Sequence, residues 1–130
     1  MKSLSQLKKK TWELVSRYMR LKYPVCEICK KNESVHCHHI IKRSKSNALF
    51  FDERNLLSLC KNCHDRIHIY KKWHEGFDDI QRYMILKSLR TEEELNYLEM
   101  KKHGTYKFSH YKLEELIKDY KQRVKEIEKN

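Results

Sequence analysis

Four of the five cysteines stand in two Cys-x-x-Cys pairs, Cys26/Cys29 and Cys60/Cys63, with thirty residues between the pairs. A turn of that form presents two thiolates to one ion, and two such turns complete the tetrahedral sulfur set that a structural zinc takes. Four reduced cysteines packed as small hydrophobes would have no need of the paired spacing. Four thiolates leave no open coordination position, so this metal is expected to hold the fold and do no chemistry. Cys37 is left over and reads as a small buried residue on a strand.

Imidazoles follow the same stretch. His64 and His68 lie four apart after the second pair, which on a helix puts both rings on one face about a turn apart. A histidine pair on a helix is often surface decoration, but this helix would begin at a zinc ligand that holds His64 rigidly. His38-His39 comes from elsewhere in the chain, so three imidazoles could surround one divalent ion and keep positions for water, as a catalytic metal requires. Adjacent histidines on an ideal strand point to opposite faces. Both can serve one site only if the strand bends or ends there, one as metal ligand and the other as general base. A neutral imidazole with a pKa near about 6.5 can take a proton from water at neutral pH. Asn55 either pins the preceding loop, and the base with it, through its amide, or is a simple turn residue.

The elements that must position these groups can be read from local signals. Residues 3–22 read as a helix capped by Ser3 or Ser5, with Leu7, Thr11, Leu14, Val15 and Tyr18 on one stripe. Its remaining surface carries Lys8, Lys9, Lys10, Arg17, Arg20 and Lys22 against Glu13, a solvated face that could also contact phosphates. Tyr23-Pro24 ends it. A zinc-binding turn over 25–31 precedes a short strand over 34–41, rich in β-branched residues. A loop over 42–54 carries Lys42, Arg43, Lys45 and Arg54 and is anchored by a Leu49-Phe50-Phe51 plug. A second strand covers 56–59, and a helix runs over roughly 62–75 with Gly76 as its C′ residue. Further helices end near Leu89, start at Thr91 through a capping box and stop before Gly104, and start at Ser109. The last presents Leu113, Leu116, Ile117, Tyr120, Val124 and Ile127 to the rest of the chain or to a second copy.

At 130 residues and 16.1 kDa the chain is expected to be a single domain over 1–130: a basic N-terminal helix over 1–24, a metal-built core over 25–76 and a helical extension over 77–130. Charged residues make up 36% and the mean hydropathy is −0.91, so the core is modest and a metal staple is in keeping with it. A net charge of +11 and a pI near 9.4 favour a polyanionic partner, nucleic acid first, and disfavour a protein-interaction zinc domain. Odd cysteine count and ligand spacing argue against a disulfide framework. With no signal peptide and no stretch of membrane-spanning length, the expected address is a reducing cytoplasm, without membrane contact.

His39, Asn55 and His64, framed by the two Cys-x-x-Cys pairs, resemble the motif of the HNH endonucleases. The string Cys-x-x-Cys, His-His-Ile, Asn-Leu, Leu-Cys-x-x-Cys-His is similar to that of their zinc-supported members and spans about residues 25–70. The resemblance implies an α+β, mainly helical fold. Its centre would be a small, treble-clef-like ββα-metal core on a four-cysteine zinc site, flanked by the basic N-terminal helix and the C-terminal helices. It implies that His38 is a metal ligand, His39 the general base, Asn55 the orienting residue and His64 a metal ligand. His68 matches the additional helix ligand of the colicin-type members.

A wider resemblance covers most of the chain. Leu7-Lys8-Lys9-Lys10-Thr11-Trp12, Arg17-Tyr18-Met19-Arg20 and the segment from Asn47 to Asn55 look like the NinG/Rap recombination proteins of lambdoid phages, which are associated with cutting branched DNA. The chain departs from that family's Gly-His-Phe strand motif and from the Asn after its second pair, carrying His38-His39-Ile40 and His64 instead. The usual HNH metal site is therefore better supported than the branched-DNA preference.

The activity implied is metal-dependent hydrolysis of phosphodiesters in double-stranded or branched DNA, such as Holliday junctions and D-loops of a phage pathway in a bacterial host's cytoplasm. A four-way junction would call for a symmetric pair of sites, hence a homodimer. Besides structural Zn²⁺, one catalytic divalent ion is implied; imidazoles suit transition ions such as Mn²⁺, Ni²⁺ or Zn²⁺, and abundance favours Mg²⁺. Arg43, Lys45, Arg54 and Arg66 are candidate phosphate clamps by proximity to the motif, beside Lys8, Lys9, Lys10 and Arg17 of the first helix. The alternative is a zinc-stabilised DNA-binding module without catalysis, which would have no need of the His38/His64/His68 set.

Overall fold

The computed structural model describes residues 2–42, 45–68 and 79–129, with backbone alone for residue 68 and for 79–82. Helix α1 (Leu4–Lys22) starts in a capping box, where Gln6 N donates to Ser3 Oγ and Ser3 N donates to Gln6 Oε1. Its buried stripe is Leu7, Thr11, Val15 and Met19. Thr11 is tolerated there because its hydroxyl donates to Leu7 O at 2.7 Å inside the same helix. The stripe packs against α5 (His110–Glu128), which is capped by Ser109 and buries Leu113, Tyr120 and Val124. Leu7, Val15, Met19, Leu113 and Tyr120 share one core with Phe51 and Leu56. The apolar stripe of the last helix is therefore covered by this chain's own first helix.

Strand β1 (His36–His39) pairs antiparallel with β2 (Leu56–Leu59), placing His36 opposite Leu59, Cys37 opposite Ser58, His38 opposite Leu57 and His39 opposite Leu56. The first strand is shorter than the expected 34–41, for a specific reason. Beyond His39 the ladder is taken over by one residue: Ile40 N donates to Asn55 O, and Ile41 N donates to Asn55 Oδ1. All four residues of β2 are fully buried, because Leu56 joins the helical core while Leu57 and Leu59 join a second one with Cys26, Cys60, Cys63 and Ile67. Its sequence accordingly reads as an apolar run and not as an alternation. Helix α2 (Lys61–His68) follows directly, and the expected extension of this helix to residue 75 and its C′ residue Gly76 lie outside the described residues.

Helices α3 (Asp79–Leu89) and α4 (Glu92–Lys101) close the far side, the latter opened by the Thr91 capping box with Glu94. The molecule is thus mainly helical, with a small two-stranded sheet and a four-cysteine cluster, consistent with a ββα-metal core. Among the described residues, no helix is long and apolar enough to cross a membrane.

A buried ion pair binds the zinc-side turn to the α3–α4 junction. Arg90 Nη1 reaches Glu27 Oε1 at 2.8 Å, with both side chains 6% exposed. Arg90 Nη2 also donates to Glu27 Oε2 and to Leu56 O, and Ser58 N donates to Glu27 Oε2 at 2.7 Å. Burial works against the Arg90 charge, but Glu27's hydrogen bonds and charge outweigh it and raise the guanidinium pKa. Arg90→Leu strands Glu27 unpaired and is expected to cost about 3–5 kcal/mol in urea unfolding of the zinc-loaded protein. Adding Glu27→Leu should recover much of that loss, since an apolar pair carries no unpaired charge. A double variant no more stable than Arg90→Leu alone would refute this account.

Candidate metal centres and catalytic residues

The first Cys-x-x-Cys turn is closed by backbone. Lys30 N donates to Cys26 O at 3.0 Å and Cys26 N to Asn32 O at 2.8 Å, and Lys30 takes a left-handed φ of 57° to make the reversal. The second turn lies at the join of β2 and α2, where His64 N donates to Cys60 O and Cys63 N points at Cys60 Sγ at 3.4 Å. The two turns meet: the ligand atoms of Cys26, Cys29, Cys60 and Cys63 all lie within 4.8 Å of one another. Cys29 Sγ and Cys60 Sγ are 3.9 Å apart. A tetrahedron with metal–sulfur bonds of about 2.3 Å has edges of roughly 3.8 Å, so these side chains fit zinc.

The thiols show how such a cluster titrates. Backbone N–H groups of Asn32 and Lys31 pull Cys29 down to about 6, while burial and the neighbouring sulfurs push Cys63 far up. Cys37 stands apart, packed on the helical core, and burial pushes its thiol up to about 12. That suits the packing role read from the sequence.

Strand parity divides the histidines. His36 and His38 face α2, whereas Cys37 and His39 face α1. His38 is 7% exposed, and its ring meets that of His64 edge-on, with centroids 5.4 Å apart and planes at 70°. His36 stacks on His64 at 4.8 Å with the planes only 24° apart. A nitrogen lone pair lies in its ring plane, so two nearly parallel stacked rings cannot aim at one ion over a bond of about 2.1 Å. The edge-on pair of His38 and His64 is free of that restriction, and His36 packs on His64 as well. The His68 side chain lies outside the described residues. His36 was not singled out by sequence reasoning, although its spacing of two from His38 puts both on one strand face.

His39 is the last residue of β1, and its side chain lies on the opposite strand face from that of His38. Its ring packs on Trp12 and on Phe50, each at 4.6 Å between centroids. Its Nε2 lies 2.9 Å from Phe50 O. A carbonyl only accepts, so Nε2 carries the proton and Nδ1 is the accepting nitrogen of the neutral ring. The loop that supplies this carbonyl is held by Asn55, which is wholly buried. Asn55 Nδ2 donates to Ile41 O at 3.1 Å and to Leu49 O at 3.2 Å, while Oδ1 accepts from Ile41 N at 2.7 Å. Asn55 pins the loop and is no mere turn residue.

The basic candidates divide. Lys8, Lys9, Lys45 and Arg66 are exposed and Lys10 is half-buried. Arg17 pairs with Glu128 at 2.8 Å. Arg54 is held in the fold: its Nε and Nη2 reach Asp52 at 3.0 and 2.9 Å, and its guanidinium sits 3.5 Å from the Tyr97 ring centroid. Burial disfavours the Asp52 carboxylate, but hydrogen bonds from Arg54 and Tyr97 outweigh it and lower its pKa. Arg43 lies outside the described residues.

Asn55→Asp preserves shape but cannot donate to the carbonyls of Ile41 and Leu49. Leaving those acceptors unpaired beside a buried carboxylate is expected to cost at least about 2 kcal/mol. Chemical denaturation measures it; a loss under about 0.5 kcal/mol would refute the clamp. Chelating zinc is expected to strip hydrogen-exchange protection first from 26–40 and 56–64, with α1 and α5 protected longest, because those helices have their own core.

No curated protein and no solved structure matches the chain. The family model described as HNH endonuclease matches residues 26–69, the span holding both cysteine pairs, β1, β2 and α2, and so supports an HNH domain there.

Proposed function

We propose that this protein is a metal-dependent DNA endonuclease in which His39 is the general base. The observation that carries this reading is the Phe50 carbonyl on His39 Nε2, which sets the tautomer, on a loop that Asn55 fixes. Adjacent to it in the chain, His38 is turned to the other strand face against His64.

In hydrolysis, His39 Nδ1 takes a proton from water as the oxygen attacks the phosphorus in line, and the bond from phosphorus to the 3′-oxygen breaks. The departing oxygen is protonated from solvent. His38 and His64, with His68 as the further ligand that the resemblance implies, would hold a divalent ion, which would supply charge stabilisation to the phosphate and the leaving oxygen. Lys8, Lys9, Lys45 and Arg66 are the exposed cations that would hold flanking phosphates. Arg54 is left out of that set because Asp52 and Tyr97 occupy it.

The finer reading, action on branched recombination intermediates, is supported by the likeness of α1 and of the Asn47–Asn55 segment to the NinG/Rap proteins. Parallel assays on linear duplex, single strand, fork and four-way junction rank these substrates, and a symmetric pair of cuts in the junction would accompany a dimer.

His39→Ala is expected to slow nicking of supercoiled plasmid by roughly 10²–10⁴ at unchanged zinc content and unchanged circular dichroism. His38→Ala and His64→Ala should weaken binding of the added divalent ion, read by calorimetry, while the cysteine site stays loaded. Full nicking by the folded His39→Ala protein would overturn the assignment. DNA binding without nicking under Mg²⁺, Mn²⁺, Ni²⁺ or Zn²⁺ would favour a zinc-stabilised binding module instead.

A further inference from the structure

The rings that pack on His39 also form a wall of something else. Trp12 and Phe50 line a cavity of about 570 Å³ together with Phe108, Lys8, Lys9 and Asn47. That volume falls within the range of about 300–1,000 Å³ typical of small-molecule sites. A second cavity of about 370 Å³ adjoins it, sharing Lys8, Asn47 and Phe108 and adding Tyr106 and Lys107. The two share a wall that includes Lys8, Asn47 and Phe108. That wall is held in place by Asn47, whose Nδ2 donates to Tyr106 O at 2.7 Å and whose Oδ1 accepts from Tyr106 N at 3.0 Å.

The lining is selective in its chemistry. Among the described residues, neither cavity has a carboxylate in its wall, whereas three other surface cavities each include at least one. Flat aromatic faces beside ammonium groups, without acid, suit a planar heterocycle carrying a phosphate. Aromatic faces accept any base by stacking, and lysines on the rim hold the backbone. The cavity shares Trp12 and Phe50 with the His39 packing, so a base within it belongs to a nucleotide flanking the scissile phosphate. A base paired in a duplex is stacked on both sides and cannot enter without being extruded.

We infer that the Trp12–Phe50–Phe108 cavity receives the base of an unpaired nucleotide next to the cleavage site, so that the protein favours DNA with an unstacked base over continuous duplex. The inference rests on DNA being the ligand of the site proposed above, and deepens that reading.

The test is binding by the zinc-loaded full chain with no other divalent ion. Trp73→Phe leaves Trp12 as the sole tryptophan. Three DNAs of one sequence are compared: fully paired, with a single unpaired thymidine, and with that thymidine replaced by an abasic residue. The unpaired thymidine is expected to raise affinity roughly fivefold to a hundredfold, in line with stacking of one base, and to quench Trp12 emission. The abasic residue keeps the phosphates and should return the affinity to that of paired DNA. Lys8→Ala with Lys9→Ala alters exposed residues only and should weaken all three, lowering the salt slope by up to about 1.8. Equal affinities for the three DNAs, or a preference that the abasic residue retains, or unmoved Trp12 emission, overturns the cavity assignment. Plasmid nicking measured in parallel separates the two ideas. Nicking with equal affinities removes the cavity and keeps the nuclease, whereas base-dependent binding without nicking does the reverse.

Discussion

Four sulfurs held within 4.8 Å of one another cannot all be charged unless a cation lies among them. The thiols express this directly. Backbone N–H groups pull Cys29 down to about 6, and the sulfurs around Cys63 then help burial push its ionisation far out of reach. A divalent ion removes the conflict, because each thiolate pairs with it and the repulsion becomes attraction. The two cysteine turns and the elements joined to them would be tied together by that ion. Cys26 and Cys29 fix the approach to β1, and Cys60 and Cys63 fix the end of β2 and the first turn of α2. His64 follows Cys63 directly, so its ring is placed by the same sulfur cluster. A chain with this much charge and so modest a core would not hold these elements by apolar burial alone.

The sulfur cluster is coupled to the helices through charge as well as packing. Glu27 stands inside the first Cys-x-x-Cys turn, and its carboxylate accepts from Ser58 N on β2 and from Arg90 between α3 and α4. One carboxylate therefore joins the turn, the sheet and the far helices. Burying it is unfavourable in itself, and the hydrogen bonds that satisfy both oxygens make the arrangement tolerable. What the pair contributes is position: few other side chains could bridge three elements at this depth.

Much of this architecture was legible from local signals. Ser3, Thr91 and Ser109 open helices because each offers an oxygen to an otherwise unpaired N–H, and that pattern can be read without the fold. The cysteine spacing was equally direct, since two ligands per turn is a local requirement. What escaped notice depends on residues far apart. Glu27 and Arg90 look like ordinary surface charges in sequence, and only the fold brings them together across 63 positions. Arg54 reads as a phosphate clamp from its proximity to the motif, next to Asn55. Asp52 was equally close in sequence, but the third partner, Tyr97, comes from α4. His36 was readable in principle, because the parity that separates His38 from His39 also groups His36 with His38.

That parity places a strict demand on strand register. Successive strand residues face opposite sides, so a slip of one position would exchange the places of His38 and His39. A two-stranded sheet four residues long has little pairing with which to resist such a slip. The resistance comes from its ends. At one end Val35 N donates to Leu59 O, just ahead of Cys60. At the other, Asn55 takes over from the ladder, using its backbone carbonyl for Ile40 and its side chain for both polar groups of Ile41. A slipped strand would leave the Asn55 amide buried without its partners, in addition to taking the His39 ring out of the aromatic stack of Trp12 and Phe50. The invariance of register that the proposed chemistry needs thus falls to one buried amide and one cysteine cluster, at opposite ends of the same strand pair.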